Sequence, residues 1–290
     1  MKKITIIGTG YVGLVSGAGL AEFGHNVSCV DIDQEKIKNL NNGQIPIHEP
    51  GLDIIVKNNT REGRLTFSSN IEKNIQEAKI IFIAVGTPQD EKGIADLTAV
   101  KSVVTLIADN LNNYKIICTK STVPVGTGKW IESEIKSRAS NDNFDYVSNP
   151  EFLREGAAVN DFLYPDRIVI GSLSEKAYSE MREIYRPLYI NKTPIIETSV
   201  ETAEMIKYAS NSFLALKISY INEIANLCEA VGADIHQVAR AMGQDGRISS
   251  KFLHPGPGFG GSCFPKDLEA LYNLGKEKNI DLNTVSATIK

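Results

Sequence analysis

The segment Gly258-Phe-Gly-Gly261-Ser-Cys263-Phe-Pro265-Lys-Asp267 gathers what a nucleophilic cysteine needs. Pro265 suits the first turn of a helix, where a missing N–H costs nothing. Cys263 then falls at or just before a helix N-terminus, where the positive dipole end and unpaired N–H groups favour a thiolate, and Lys266 follows closely. The glycines leave space and backbone donors beside the sulfur for a developing charge. Cys29 and Cys118 lie in apolar, strand-like runs and Cys228 in a long helical stretch, so these three read as small buried hydrophobes.

Two other constellations accompany the cysteine. Lys207 and Asn211 stand four residues apart and share a helix face. Their surroundings are largely apolar, a poor setting for a lysine that only meets solvent. Near the N-terminus, Gly8-Thr-Gly10-Tyr-Val-Gly13 follows a predicted strand and opens a predicted helix. In that register the first glycine allows a tight turn and the second lets a pyrophosphate approach the backbone. The third lets helix and strand pack closely. The next strand ends in Asp31, placed to accept from a ribose 2′-OH and to repel a 2′-phosphate, which favours NAD over NADP. Asp33 competes for that role. Gly86-Thr87-Pro88 offers a second contact at the end of another apolar strand.

The elements that must position these groups are legible in outline. Short apolar runs alternate with helical patterns through the first half, as in βαβ units around a parallel sheet. Strands are expected at Lys3–Gly8, Val27–Asp31, Lys79–Val85, Lys115–Cys118, Asp145–Val147 and Arg167–Ile170, with a first helix over Val12–Phe23. From Thr202 to Val231 there is neither proline nor glycine, and apolar residues recur at 206, 209, 213, 216 and 224. That spacing predicts one helix of about 30 residues, opened by a capping box from Thr198 to Glu201. A shorter helix should follow at Asp234–Met242, then a Gly/Pro-rich loop from Gly243 to Cys263, then a helix from Pro265. The fold class is thus α/β: a Rossmann-like, doubly wound parallel sheet in residues 1–197, then a helical central and dimerisation domain in 198–290 with a spine helix.

Length and composition bound the function. The 290 residues suffice for two domains, with 42% hydrophobic and 23% charged side chains. A net charge of −4 gives no basic excess for nucleic acid or an anionic membrane. No apolar run approaches a membrane span or a signal peptide. The four cysteines show neither disulfide nor zinc spacing, so no metal is expected and cytoplasmic residence is.

Five motifs, Gly8–Gly13, Lys120-Ser-Thr-Val-Pro124, Asn149-Pro-Glu-Phe-Leu-Arg-Glu155, Lys207 with Asn211, and Gly258–Asp267, closely resemble the UDP-glucose 6-dehydrogenase family, in its order and across nearly the whole chain. The resemblance implies a four-electron oxidation of UDP-glucose to UDP-glucuronate by two NAD in succession, with Cys263 carrying a thiohemiacetal and then a thioester. It implies Lys207 and Asn211 as oxyanion donors, and Asp267 with a water held by Thr122 as manager of the proton. Glu151 would assist thioester hydrolysis. Gly8, Gly10, Tyr11, Val12, Gly13, Asp31, Lys36, Thr87, Thr122, Glu155 and Lys266 form the expected cofactor set. Glu151, Phe152, Leu153, Arg154, Lys207, Asn211, Arg247, Phe252, Gly260 and Cys263 form the substrate set, with Arg247 reaching across a homodimer built on the long helix. Family members continue into a second Rossmann-like domain that holds UDP, and the chain reads as lacking it. Related GDP-mannose or UDP-N-acetyl-sugar dehydrogenases, a 3-hydroxyacid-type dehydrogenase and a non-catalytic NAD-binding dimer remain alternatives; the last would lack turnover, and the hydroxyacid type has no use for the Cys263 motif.

Overall fold

The computed structural model describes residues 1–90, 93–139 and 143–290. Two compact units form, Met1–Thr87 with Asp96–Met205, and Pro88–Ala95 with Ile206–Lys290. The first unit begins with β1 (Lys3–Ile7), α1 (Tyr11–Glu22), β2 (Asn26–Val30), α2 (Gln34–Asn41), α3 (Leu52–Arg61), β3 (Leu65–Ser68), α4 (Ile71–Glu77) and β4 (Ile80–Ile83). It continues with α5 (Thr98–Asp109), β5 (Lys115–Thr119), α6 (Thr127–Arg138), β6 (Phe144–Ser148), α7 (Ala158–Leu163), β7 (Ile168–Gly171), α8 (Glu175–Ile184), a 3-10 turn at Arg186–Asn191, and β8 (Ile195–Thr198).

The eight strands form one sheet in the order β3-β2-β1-β4-β5-β6-β7-β8. The strands β1 to β6 pair in parallel, β7 meets β6 antiparallel through Ser148 and Gly171, and β8 runs parallel to β7. Alternate residues of a strand face opposite sides. Ile80 and Phe82 therefore enter one apolar cluster, and Ile81 and Ile83 the other. Both faces of β4 and β5 are buried under helices, which is why β4 reads as an unbroken apolar run and β5 carries the apolar centre Ile116-Ile117-Cys118 between Lys115 and Thr119. Because β1 is flanked by β2 on one side and β4 on the other, the chain reverses its winding beside β1, and a crevice opens at the carboxyl ends of β1 and β4.

Two strands, β3 and β8, escaped the sequence reading. Each has four residues, and β8 is an edge strand whose exposed Ile196 and Glu197 carry no apolar alternation. The expected strand Lys79–Val85 is shorter, Ile80–Ile83.

The spine helix α9 spans Val200–Val231, 32 residues, beginning in the first unit and continuing into the second. Its opening differs from the expected capping box. Ser199 Oγ accepts the Thr202 N–H at 3.2 Å, so the cap sits one residue later than Thr198. Thr198-x-x-Glu201 has the capping-box spacing, but Ser199 stands just outside the helix, and its hydroxyl meets both the Thr202 N–H and the Thr202 hydroxyl, the latter at 2.9 Å. In the second unit α9 is followed by α10 (Ile235–Gln244), α11 (Phe264–Glu277) and α12 (Asn283–Ile289). The 88–95 segment belongs to this unit: Gln89 Nε2 donates to the Lys266 carbonyl at 3.1 Å.

Glu204, near the start of α9, is buried among first-unit elements. Its carboxylate accepts from the Gly126 and Gly128 N–H groups, at 2.7 and 2.8 Å, at the N-terminus of α6. Burial pushes this carboxyl up to about 7, against the pull of those two donors. A carboxyl raised above its ordinary 4.5 binds its proton more tightly in the folded state, so its contribution to stability declines as pH rises from about 4.5 to 7. Urea unfolding should show a loss on the order of 2–3 kcal/mol between pH 5 and 8 that Glu204→Gln removes. Identical pH slopes in the two proteins would locate the effect elsewhere.

Candidate active site

In the first unit the glycine motif wraps the carboxyl end of β1. Gly8 takes a left-handed φ of +101°, and a Cβ there would lie 2.7 Å from the Ala84 carbonyl oxygen. A Cβ on Gly13 would lie 1.9 Å from the Gly8 carbonyl oxygen, so α1 can begin this close to β1 only with glycine at that position. A Cβ on Gly10 would meet nothing within 4 Å. The space over Gly10 is open, and α1 starts there with neither a capping side chain nor an acidic residue in its first turn, formed by Tyr11, Val12 and Gly13. That arrangement suits a pyrophosphate.

Asp31, just past β2, accepts from the Thr9 N–H (2.9 Å), the Thr9 hydroxyl (2.7 Å) and Lys36 Nζ (3.1 Å) on one oxygen, and from the Asp33 N–H (3.1 Å) on the other. Partial burial pushes its carboxyl upward, but the donors from Thr9, Asp33 and Lys36 outweigh it and hold it below its ordinary value. It is ionised at neutral pH, and its second oxygen retains acceptor capacity for a ribose hydroxyl. Asp33, the competitor, is occupied as the N-cap of α2, accepting from the Lys36 N–H at 2.9 Å. Beyond β4 and β5, the Thr87 hydroxyl donates to the Thr122 carbonyl at 2.8 Å and Ser121 Oγ donates to the Val85 carbonyl at 2.6 Å. These bonds gather Thr87 and Thr122 at the same sheet edge. The residues present fit a dinucleotide with a free 2′-OH.

The Lys120 and Asn149 motifs also meet. Asn149 is buried, donates to the Val169 carbonyl at 2.7 Å, and accepts from Lys120 Nζ (3.2 Å) and the Tyr185 hydroxyl (2.6 Å). Buried Glu151 accepts the Leu153 N–H at 2.6 Å. The Arg167 guanidinium stacks 3.7 Å from the Phe152 ring centroid. Arg154 is exposed and binds Asp161 through its N–H and its guanidinium, and Glu155 is exposed beside it.

In the second unit Cys263 is the N-cap of α11, with Pro265 in the first turn. It is exposed, whereas Cys29, Cys118 and Cys228 are buried. Burial pushes the Cys29 thiol up to about 12 and raises that of Cys118 as well. Asp267 is fully buried one turn into α11, and its N–H donates to the Cys263 carbonyl at 2.9 Å. One of its oxygens accepts from Asn211 Nδ2 at 2.6 Å and the other from Lys266 Nζ at 2.7 Å. Lys207, one turn before Asn211 on α9, is buried too. An ammonium, an amide and a carboxylate are thus set below the surface of the unit that carries the exposed thiol.

The loop before Cys263 hangs from α9. Lys217 Nζ donates to the carbonyls of Ile248, Ser249 and Lys251, and Asn222 accepts the Gly256 N–H at 2.8 Å. Phe252 adopts a left-handed φ of 63° and meets the Phe264 ring edge-on at 6.2 Å. Gly260 is exposed, and exposed Arg247 pairs locally with Asp245.

Residues 2–189 match the NAD binding domain of the UDP-glucose/GDP-mannose dehydrogenase family, and residues 201–290 match its central domain. The chain belongs to the UDP-glucose/GDP-mannose dehydrogenase family. It is 53% identical over 291 residues to a UDP-glucose 6-dehydrogenase of Bacillus subtilis (strain 168), covering 100% of this chain and 62% of that protein. It is 52% identical over 290 residues to a UDP-glucose 6-dehydrogenase of Rhizobium meliloti (strain 1021), covering 99% and 66%. The chain therefore spans less than two thirds of the length of these relatives. The solved UDP-glucose dehydrogenase of the hyperthermophilic archaeon Pyrobaculum islandicum superposes with a TM-score of 0.96 at 37% identity, covering 100% of this chain and 67% of that one.

Within this member of the UDP-glucose/GDP-mannose dehydrogenase family, the glycine turn, Asp31 and Thr87 lie in the NAD binding domain, and NAD is the cofactor. Cys263, Lys207, Asn211 and Asp267 lie in the central domain. Sequence reasoning did not single out Thr9, Tyr185 or Lys217, which hold Asp31, Asn149 and the loop before Cys263. Thr9 alone carried a signal, since it stands inside the glycine motif.

Proposed function

We propose that this protein performs the NAD-dependent four-electron oxidation of UDP-glucose to UDP-glucuronate, with Cys263 as the covalent nucleophile. The observation that carries this reading is the exposed thiol at the N-terminus of α11, in the unit that holds the buried Asn211–Asp267–Lys266 network. NAD, when bound, supplies the hydride acceptor for both oxidations. Gly8, Gly10, Tyr11, Val12 and Gly13 would hold its pyrophosphate, Asp31 and Lys36 its ribose, and Thr87, Thr122, Glu155 and Lys266 the remainder. Cys263 Sγ bonds to C6 of the sugar aldehyde and keeps that carbon as a thiohemiacetal and then a thioester. Water cleaves the thioester, releasing the acid and returning the thiol. Lys207 and Asn211 supply donors to the oxyanion, Asp267 with a water on Thr122 handles the proton, and Glu151 aids hydrolysis. Phe152, Leu153, Arg154, Arg247, Phe252 and Gly260 would contact the sugar nucleotide.

A homodimer through α9 completes the proposal. Phe213, Tyr220 and Leu227 recur at seven-residue spacing on that helix and are 60%, 47% and 58% exposed. No helix among the described residues is long and apolar enough to cross a membrane, and the four free thiols suit the cytoplasm. The test is turnover: purified protein with UDP-glucose and excess NAD should yield two NADH per sugar, with UDP-glucuronate as product. One NADH per sugar, or turnover only with GDP-mannose or a UDP-N-acetyl sugar, would overturn the assignment.

A further inference from the structure

Glu49 stands outside every motif, and its place follows from local chemistry. Glu49-Pro50-Gly51-Leu52 is a type II turn: the Leu52 N–H donates to the Glu49 carbonyl at 3.1 Å, and Gly51 adopts φ 83° and ψ −6°. Proline at the second position and glycine at the third are what that turn requires, and the residue before proline is driven to extended backbone. The turn delivers the Glu49 side chain into the first unit, where the residue is 5% exposed.

Three donors converge on this carboxylate from two distant segments. One oxygen accepts from the Tyr11 hydroxyl at 2.8 Å and the Gly156 N–H at 2.6 Å; the other accepts the Ala158 N–H at 3.0 Å. Tyr11 is the first residue of α1, so its backbone N–H belongs to the positive helix end that faces a pyrophosphate. Gly156 and Ala158 bracket Ala157, the N-cap of α7, directly after the Phe152–Glu155 run. Gly156 holds a left-handed φ of +85°, which aims its N–H and favours glycine there. Burial, then the hydrogen bond to Glu49, then the charges of Glu49, Glu155 and Glu151 keep the Tyr11 phenol far above its ordinary value, so it stays a donor.

We propose that Glu49 is a positioning residue that ties the glycine turn to segment 152–158, so that dinucleotide binding and the ordering of that segment are one event. The proposal rests on NAD binding by the first unit. A purely structural staple would lower the melting temperature and leave the response to NAD intact.

Tyr11→Phe, Glu49→Gln and the double variant should be titrated with NAD by calorimetry. Amide exchange at Gly156 and Ala158 should be followed with and without saturating NAD. In the wild type, NAD should slow exchange at both amides. Tyr11→Phe should abolish that NAD-dependent slowing and weaken NAD binding about threefold, and Glu49→Gln about tenfold, since bonds to a charged group are being lost. The double variant should bind no worse than Glu49→Gln, because both changes break the same link. Wild-type affinity and wild-type NAD-dependent exchange in Tyr11→Phe would overturn the tie, as would fully additive losses. Should Glu49→Gln fail to fold, Tyr11→Phe decides alone. A wild-type chain that takes up no NAD would overturn both the tie and the cofactor reading beneath it; a wild type that binds NAD isolates the tie.

Discussion

Cys263→Ser should produce no UDP-glucuronate at a measurable rate while binding NAD as the wild type does. The thiol is exposed at a helix N-cap, with Ser262 Oγ 3.7 Å from its sulfur. Replacing sulfur by oxygen there removes little packing and should shift stability by less than about 0.5 kcal/mol. Chemistry changes far more. A serine hydroxyl is a poor nucleophile without an adjacent base, and the oxygen ester it would form is less reactive to water than a thioester. The expected loss in acid formation is on the order of a thousandfold or more. Product identity, followed by mass alongside NADH absorbance, is the measurement. Full UDP-glucuronate output from the variant would eliminate the covalent route and return Cys263 to the rank of a surface residue.

Gly13→Ala carries the second large effect, and Gly10→Ala is its control. The added methyl at position 13 would sit 1.9 Å from the Gly8 carbonyl oxygen and 3.3 Å from Ala84 Cβ. Its principal obstacle is backbone at the end of the sheet's first strand, so no rotamer change relieves it and the β1–α1 turn must open. A cost of about 3 kcal/mol or more is expected, at the upper end of overpacking, together with loss of NAD binding. The same methyl at position 10 meets nothing within 4 Å. Gly10→Ala should therefore melt like the wild type and bind NAD at least about tenfold more weakly, because the methyl occupies the path of the pyrophosphate. Thermal melts and NAD titrations of the two variants separate the roles. A Gly13→Ala protein as stable as wild type would contradict the packing described for α1.

What the sequence revealed and what it withheld divide along physical lines. Strands β4 and β5 were legible because helices cover both faces, leaving β4 wholly apolar and giving β5 the apolar centre Ile116-Ile117-Cys118. The spine helix was legible because a run without proline or glycine between Thr202 and Val231 has few other stable outcomes. Strands β3 and β8 were not, because four residues at or near a sheet edge carry too little pattern. The start of α9 moved by one residue because Thr198 and Ser199 are equally good caps until the backbone chooses. The glycine turn and the helix start at Cys263 were legible as local structure, each being contiguous. Glu49 and Lys217 act through partners over 30 positions away or more, and a single side chain says nothing of which distant carbonyl or hydroxyl it will find.

The distribution of the four sulfurs also makes the native protein its own reporter. Cys29 sits in β2, Cys118 in β5 and Cys228 in α9, all buried, while Cys263 alone is exposed. A pulse of a thiol-reactive reagent marks the exposed sulfur at once. Every later adduct must wait for an opening event, and its position says which element opened. The sheet's second strand, its middle and the spine helix can thus be timed separately in a chain to which no probe has been added.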